Sequence, residues 1–434
     1  MKYFEFFQEW LAESEQPFLV NNDLIIEGGA YGHLAHPFED LDLTMKDLLE
    51  MIEATVKGSF SPENFAQEKT DGQNIMISWK DGRLIAARNK SHLKNFGSNA
   101  LTKEALAKKF AGRGNIETAF NSAIADLESS IRSLSERDKI KFFDNGKKFA
   151  SVEIITPLTQ NVIPYGQNML VFHGINTMDE DGNVIDEDKQ AGRDIGKIIE
   201  DVNAHVQDMF FVRGPHDLEI KPLPNASKKL SYYKKELKRI MDDAGIGWGG
   251  NVWGYTMGMG IHVLHEVADK LGIKIPKEAE LGVLERLLSI SKDYTARDMK
   301  RDLGDDAYKK LLEYEKKNST KFKRMVYEPL EHLFLELGTD IMKNMSAFLS
   351  ANPTQASMDM KKEIEDTIKE IRINGDERDI QKLEDELKRM AAAGGIESIV
   401  PTEGITFVYK GKLYKYTGIF APLNQIRGIL KFKR

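Results

Sequence analysis

Glu68-Lys69-Thr70-Asp71-Gly72-Gln73-Asn74, running on into Ile75-Met76-Ile77-Ser78-Trp79, is the stretch whose reading decides the fold. A lysine enters a strand, with an acidic residue and a glycine just behind it. Asp-Gly is a common turn dipeptide, so a plain turn is one meaning of the pattern. The other is a nucleophilic amine on a rigid strand edge, beside a glycine that lets a phosphate approach the backbone. Immediately outward, residues 74–79, the turn Lys80-Asp81-Gly82 and Arg83-Leu84-Ile85-Ala86-Ala87-Arg88 spell the clearest β-hairpin in the chain.

Further along, Phe149-Ala150-Ser151-Val152-Glu153-Ile154-Ile155 and Met169-Leu170-Val171-Phe172-His173-Gly174 read as buried strands. Helices are expected around 102–135 and 191–208, and another from Thr44 to Val56. From 226 the texture turns helical: Ile364, Ile368 and Ile371, then Ile380, Leu383, Leu387 and Met390, recur at spacings of three and four. Asn374-Gly375 separates those two helices and Gly394-Gly395 ends the second. Strand pattern returns in residues 405–409 and 412–416. The expected fold is therefore α+β, with antiparallel sheets and helices interrupted by a large α-helical insert. Its expected parts are an N-terminal α/β extension (1–60), a core (61–225), the insert (226–395), and a second piece of the core with a basic tail (396–434).

With 434 residues the chain exceeds what one hydrophobic core usually organises. A composition that is 41% hydrophobic and 30% charged, with 13 prolines, excludes collagen-like and disordered classes. The absence of cysteine removes disulfides and thiolate metal sites, so no structural zinc is expected. No signal peptide opens the chain and no run of about 18 apolar residues occurs, which predicts a cytoplasmic protein without a membrane partner. The net charge of -7 hides two basic segments, 80–113 at +7 and 401–434 at +6, which could bind phosphate or be merely solvated.

Several chemistry-bearing residues follow the first stretch in order. Glu153 is an isolated carboxylate in an apolar strand, expensive unless partnered. Phe172 stands in the next strand, and far downstream come Glu403-Gly404-Ile405 and a basic strand with Lys412 and Lys415. In this order they resemble the covalent nucleotidyltransferase superfamily of ATP-dependent ligases and capping enzymes. Lys69-Thr70-Asp71-Gly72 matches its Lys-x-Asp-Gly motif, Glu153 its motif III glutamate and Phe172 its motif IIIa aromatic. Glu403-Gly404 matches motif IV, and Lys415, with Lys412 as the alternative, matches motif V.

The resemblance implies a nucleotidyltransferase domain in which Lys69 attacks the α-phosphorus of ATP, releases pyrophosphate and holds AMP. A lysine at its ordinary pKa of about 10.4 is protonated at neutral pH, so the site is expected to lower it, at about 3–4 kcal/mol. Lys415 or a bound cation could supply the field. Glu403 and Glu153 would serve Mg²⁺ (or Mn²⁺), with Glu153 also suited to ribose or lysine. Phe172 would stack on adenine, Arg88 would contact ribose or donor phosphate, and Glu68, Asp71 and Gly72 would line the nucleotide site. Phe172 and Arg88 also have plain structural readings, as a core residue and a strand-end cation.

Only 17 residues, 418–434, follow motif V. The OB-fold domain that DNA ligases and capping enzymes carry there does not fit, so the resemblance points to the RNA-ligase-like branch. The surroundings of Lys69 and residues 416–425 look like proteins of large tailed bacteriophages, which would place the protein in host-cell cytoplasm. The expected activity is a polynucleotide ligase joining a 3′-hydroxyl to a 5′-phosphate, most readily on RNA, with RNA-to-DNA or DNA joining as alternatives. Two rivals stand beside it: transfer of a nucleotide to a protein or small molecule, and a nucleic-acid-binding phage protein without turnover. His33 and His36 read as loop anchors or phosphate contacts more readily than as a metal pair, and 245–250 as a connection.

Overall fold

The computed structural model describes residues 34–59, 66–206, 209–288, 293–345, 348–350 and 352–431. Helix α1 (Met45–Lys57) is capped by Thr44, whose hydroxyl accepts from the Asp47 amide while the Asp47 carboxylate accepts from Thr44 N. Strand β1 (Ala66–Lys69) carries the lysine. The hairpin β2 (Gln73–Lys80) and β3 (Arg83–Ala87) turns through Asp81 and Gly82, both at positive φ, the two-residue turn that matches strand twist. Helices α2 (Lys90–Gly97), α3 (Lys103–Phe110), α4 (Asn115–Ser133) and α5 (Glu136–Phe143) lead to β4 (Lys148–Ile155).

Strands β5 (Met169–Met178) and β6 (Val184–Asp188), helix α6 (Lys189–Asn203), and the short strands β7 (Phe211–Arg213) and β8 (Asp217–Leu218) follow. The helical region comprises α7 (Ala226–Asp243), α8 (Val252–Leu271), α9 (Lys277–Leu287), α10 (Ala296–Leu303), α11 (Asp305–Lys343), α12 (Pro353–Asn374) and α13 (Glu377–Ala392). The chain then returns as β9 (Gly404–Tyr409) and β10 (Lys412–Tyr416), joined through Lys410 and Gly411 at positive φ, and ends in α14 (Phe420–Lys431). The protein is thus a mixed α+β structure. Among the described residues no helix is long and apolar enough to cross a membrane.

Two sheets organise the described strands. One is antiparallel in the order β10-β9-β1-β8; the other runs β3-β2-β4-β5-β6, with β7 parallel to β5. Strand β1 pairs with β8 on one side and β9 on the other, so the helices α7–α13 intervene in sequence between two neighbours of a single strand. They pack against the strands and do not form a body of their own. Helices α1 and α7–α11 share one core with the four-stranded sheet, where Phe334 stacks on Tyr416 at 5.8 Å. The N-terminal part, where described, belongs to that core through Leu48, Ile52 and Val56. Gly418 meets α11 closely: a Cβ there would lie 2.7 Å from Thr339 N.

One face of the larger sheet packs Ile75, Val152, Leu170 and Phe172 against α3–α6. The opposite face is split. Met76, Ile85 and Phe149 form one apolar cluster, Ile155, Met169 and Val171 join α12–α14 in another, and polar Asn74, Ser151 and Glu153 lie between. That polar strip follows from alternation along β2 and β4, and it positions the site.

Candidate active site

Lys69 is the last residue of β1 and pairs with Gly404, so its neighbour in space is the residue next to Glu403. Lys69 Nζ contacts Glu403 Oε1 in an ion pair whose side chains are 25% and 15% exposed. Burial opposes the ammonium, but the Glu403 and Glu153 charges outweigh it and hold Lys69 above the ordinary lysine value. This reverses the expected lowering. The amine faces carboxylates, and no neighbouring cation overrides them. Burial, with the nearby Asp71 charge, pushes Glu403 up to about 7, Lys69 opposing.

Glu153 is the hub of the loop after Lys69. Its Oε1 accepts from Gly72 N at 2.8 Å, and its Oε2 contacts Thr70 Oγ1 and lies 2.8 Å from His173 Nε2. Burial disfavours its charge, yet those partners and Lys69 keep it below the usual carboxylate range. Gly72 has no room for a side chain, since a Cβ would stand 2.7 Å from Glu153 Cγ and 2.8 Å from Ile154 O. Here glycine serves the close approach of loop to strand.

Asp71 is held from a second direction. Its Oδ2 accepts from Val162 N at 2.6 Å and Ile163 N at 2.9 Å, its Oδ1 accepts from Asn161 Nδ2 at 2.8 Å, and its own amide donates to Tyr165 OH at 3.0 Å. The carboxylate fixes the β4–β5 connection. Glu68, one residue before Lys69, points through the sheet and accepts from Leu349 N at 2.8 Å. At 2% exposure its carboxyl is pushed up to about 7 by burial. It anchors the segment after α11 and lies on the opposite sheet face from Lys69.

Paired residues share a sheet face, as do alternate residues of one strand. Lys69 pairs with Gly404 and Lys415 pairs with Thr406, so both lysines lie on one face, two strand spacings or about 10 Å apart laterally. Lys415 is buried, donates its amide to Ala35 O, and its charge opposes the burial-driven rise of the Glu39 carboxyl to about 8. Lys412 is exposed and bonds Asp40 at 3.0 Å, away from Lys69. Of these two lysines, register and burial place Lys415 and not Lys412 on the Lys69 face.

Two sequence-expected contacts lie on the other side of the larger sheet. Phe172 is 3% exposed and packed among Ile75, Val152 and Leu170, facing α3–α6. A register shift on β5 explains it: Ser151 pairs with Gly174 and Val152 with Phe172, leaving His173 as the extra residue, which turns to Glu153. Arg88 lies 4.9 Å over the Phe120 ring, donates to Asn74 O at 2.6 Å, and is lowered to about 10 by burial and then by Arg113. Sequence reading missed His173, Tyr165 and Asn161. A histidine beside the chosen phenylalanine was visible, but the bulge that exchanges their faces was not. His36 stacks on Phe38 at 5.2 Å, as a loop anchor does, and His33 lies outside the described residues.

Of the carboxylates near Lys69, Asp71 has both oxygens bonded to Asn161, Val162 and Ile163, which leaves Glu403 as the one suited to a hard cation. Glu403 is engaged through one oxygen and fits such an ion through the other. Glu153 has both oxygens taken by Gly72, Thr70 and His173, so it fits a loop-holding role better than metal ligation. Among the described residues no group of three or more His, Asp or Glu side chains forms a metal-binding cluster. The chain matches none of the protein-family models with which it was compared, and a search of curated proteins gave no significant match.

Proposed function

We propose that this protein is an ATP-dependent polynucleotide ligase of the covalent nucleotidyltransferase type, joining a 3′-hydroxyl to a 5′-phosphate, with RNA as the preferred strand. The observation that carries the reading is the contact of Lys69, at the end of β1, with Glu403, just before β9, two residues that the helices α7–α13 separate in sequence. Glu153, Asp71 and Gly72 fix the loop behind that lysine, and Lys415 shares its sheet face. The preference for RNA rests on the resemblance of the motif set to the RNA-ligase-like branch.

In this reading the Lys69 ammonium first gives one proton to solvent, the neutral Nζ forms a bond to the α-phosphorus of ATP, pyrophosphate leaves with the electron pair of the broken P–O bond, and a second proton leaves the nitrogen to solvent as the phosphoramidate forms. Mg²⁺ or Mn²⁺ held by Glu403 would supply charge that loosens the hold of that carboxylate on Lys69 and offsets phosphate charge. Glu153 keeps the Thr70–Gly72 backbone in place, and Lys415 faces the phosphate side of the sheet. AMP then passes to a 5′-phosphate, and a 3′-hydroxyl displaces it. Of the basic segment 80–113, helix α2 packs on the sheet face that carries Glu153, and its exposed Lys90 and Lys94 offer a path for the strand.

The test is incubation with α-labelled ATP and Mg²⁺, followed by 5′-phosphorylated single-stranded, nicked and splinted RNA and DNA. The expected result is a labelled protein band, absent in Lys69→Ala, that loses its label to an RNA end. An unlabelled wild type, or label that persists in Lys69→Ala, overturns the proposal. Transfer only to DNA, or to no strand, would replace the acceptor while keeping the lysine chemistry.

A further inference from the structure

Arg427 is used by nothing described so far, yet it joins three parts of the chain. It sits on α14, where Nη1 donates to Asn161 O and Nη2 pairs with Glu363 Oε1 on α12. Asn161 belongs to the β4–β5 connection and donates its side-chain amide to Asp71 at 2.8 Å. The next two residues donate their backbone amides to the same carboxylate. An unbroken line therefore runs from the helical region, through one guanidinium, to the residue two positions after Lys69.

The surroundings make that line stiff. Ile419 and, on α14, Phe420, Leu423 and Ile426 share a core with Val162, Ile163 and Tyr165 of the connection. The connection is clasped from one side by α14 and from the other by Asp71. Strand β4, which carries Glu153, leads into it at Ile155, and β5, which carries His173, leaves it at Met169. A planar guanidinium can grip a carbonyl and a carboxylate at once through two fixed N–H groups, which a lysine point charge cannot reproduce.

We propose that Arg427 is a positioning residue for adenylation: by holding Asn161 against Asp71 it fixes the loop that sets where Lys69 Nζ stands, and Glu363 in turn fixes Arg427. The proposal deepens the ligase reading and rests on it for its consequence in catalysis. It also makes the site depend on α12 and α14, elements that carry none of the reacting groups.

The experiment measures amide hydrogen exchange at Val162 and Ile163, together with single-turnover AMP uptake, in the full-length wild type, Arg427→Ala, Arg427→Lys and Glu363→Gln. Arg427→Ala should speed exchange at both amides at least ~10-fold and slow AMP uptake by about 10- to 100-fold at saturating ATP, the size expected for a small misplacement of the attacking group. The ATP concentration for half-maximal rate should move less than about twofold, because Arg427 does not touch ATP. Arg427→Lys should fall between, and Glu363→Gln, at a half-exposed position that can still accept a hydrogen bond, should be mild. Unchanged exchange in Arg427→Ala overturns the inference whatever the uptake result. Faster exchange with unaltered uptake overturns the positioning role. A wild type that takes up no AMP overturns the ligase reading instead, and exchange alone then judges the bracket. Should Arg427→Ala not fold, Arg427→Lys and Glu363→Gln decide by the same readouts.

Discussion

Lys69 and Glu403 form an ion pair because β1 and β9 are antiparallel neighbours in which Lys69 pairs with Gly404. The carboxylate raises the lysine, with Glu153 adding to it. A raised amine contributes its stabilising charge fully at pH values below the ordinary lysine value and loses it as pH rises from there through the raised one. Attack needs the opposite, a neutral amine. AMP uptake by wild type should therefore climb with pH over the range of about 6 to 10, and Glu403→Gln should move that rise to lower pH while reducing the maximal rate. Single-turnover uptake against pH measures it, and a rise at the same pH in both proteins would contradict the role of Glu403 in holding the proton.

Glu68 gives a separate pH signature, in stability. Burial raises its folded pKa to about 7, so the folded state binds a proton that the unfolded chain has released by then. The sign follows: the contribution is present below the unfolded value of about 4.3 and is lost as pH rises towards 7, by at most about 1.4 kcal/mol per pH unit. Glu68→Gln still accepts from Leu349 N and does not ionise. Its melting temperature, relative to wild type, should improve as pH goes from about 4.5 to 7.5, and a constant difference would show that Glu68 does not titrate there.

Phe172 and His173 exchange the roles that their order in the strand suggests. Phe172→Leu should lower stability by about 1–2 kcal/mol, as a core truncation does, and leave the ATP dependence of uptake unchanged. His173→Ala should cost little stability and slow uptake by about 10- to 100-fold, since it removes a partner of Glu153. Denaturant titration paired with uptake kinetics separates them. A raised ATP requirement in Phe172→Leu at unaltered stability would restore Phe172 to the nucleotide.

Lys412 and Lys415 are three residues apart and differ in burial. Lys412→Ala removes an exposed bond to Asp40, worth under about 1 kcal/mol, and should leave AMP uptake as it is. Lys415→Ala should reduce uptake by at least ~100-fold. Circular dichroism confirms folding before the comparison, and equal effects of the two would remove Lys415 from the site.

Much of this fold was legible in advance because local rules decide it. Asp81-Gly82 and Lys410-Gly411 are dipeptides that turn a hairpin, Thr44 and Asp47 cap a helix, and Ile364, Ile368 and Ile371 mark one helix face. The pattern of Lys69, Asp71, Gly72, Glu153 and Glu403 could also be picked out, since isolated charges in apolar strands stand apart in a linear string. Which side of a sheet a residue faces was legible only where alternation holds.

By itself, then, the sequence determined the hairpins, the amphipathic helices, the helical run between two strand-rich parts and the residues that bring charge to apolar strands. The tertiary structure alone decided that β9 returns to β1 and sets Glu403 on Lys69, and that a bulge turns His173 where Phe172 was expected. It alone also decided that Glu68 and Arg88 leave the Lys69 side, and that the helices share the core of the sheet. The physical reason is that turns and caps depend on neighbours a few residues away, whereas pairing, register shifts and the field felt by a buried amine depend on groups that only the packed chain brings together.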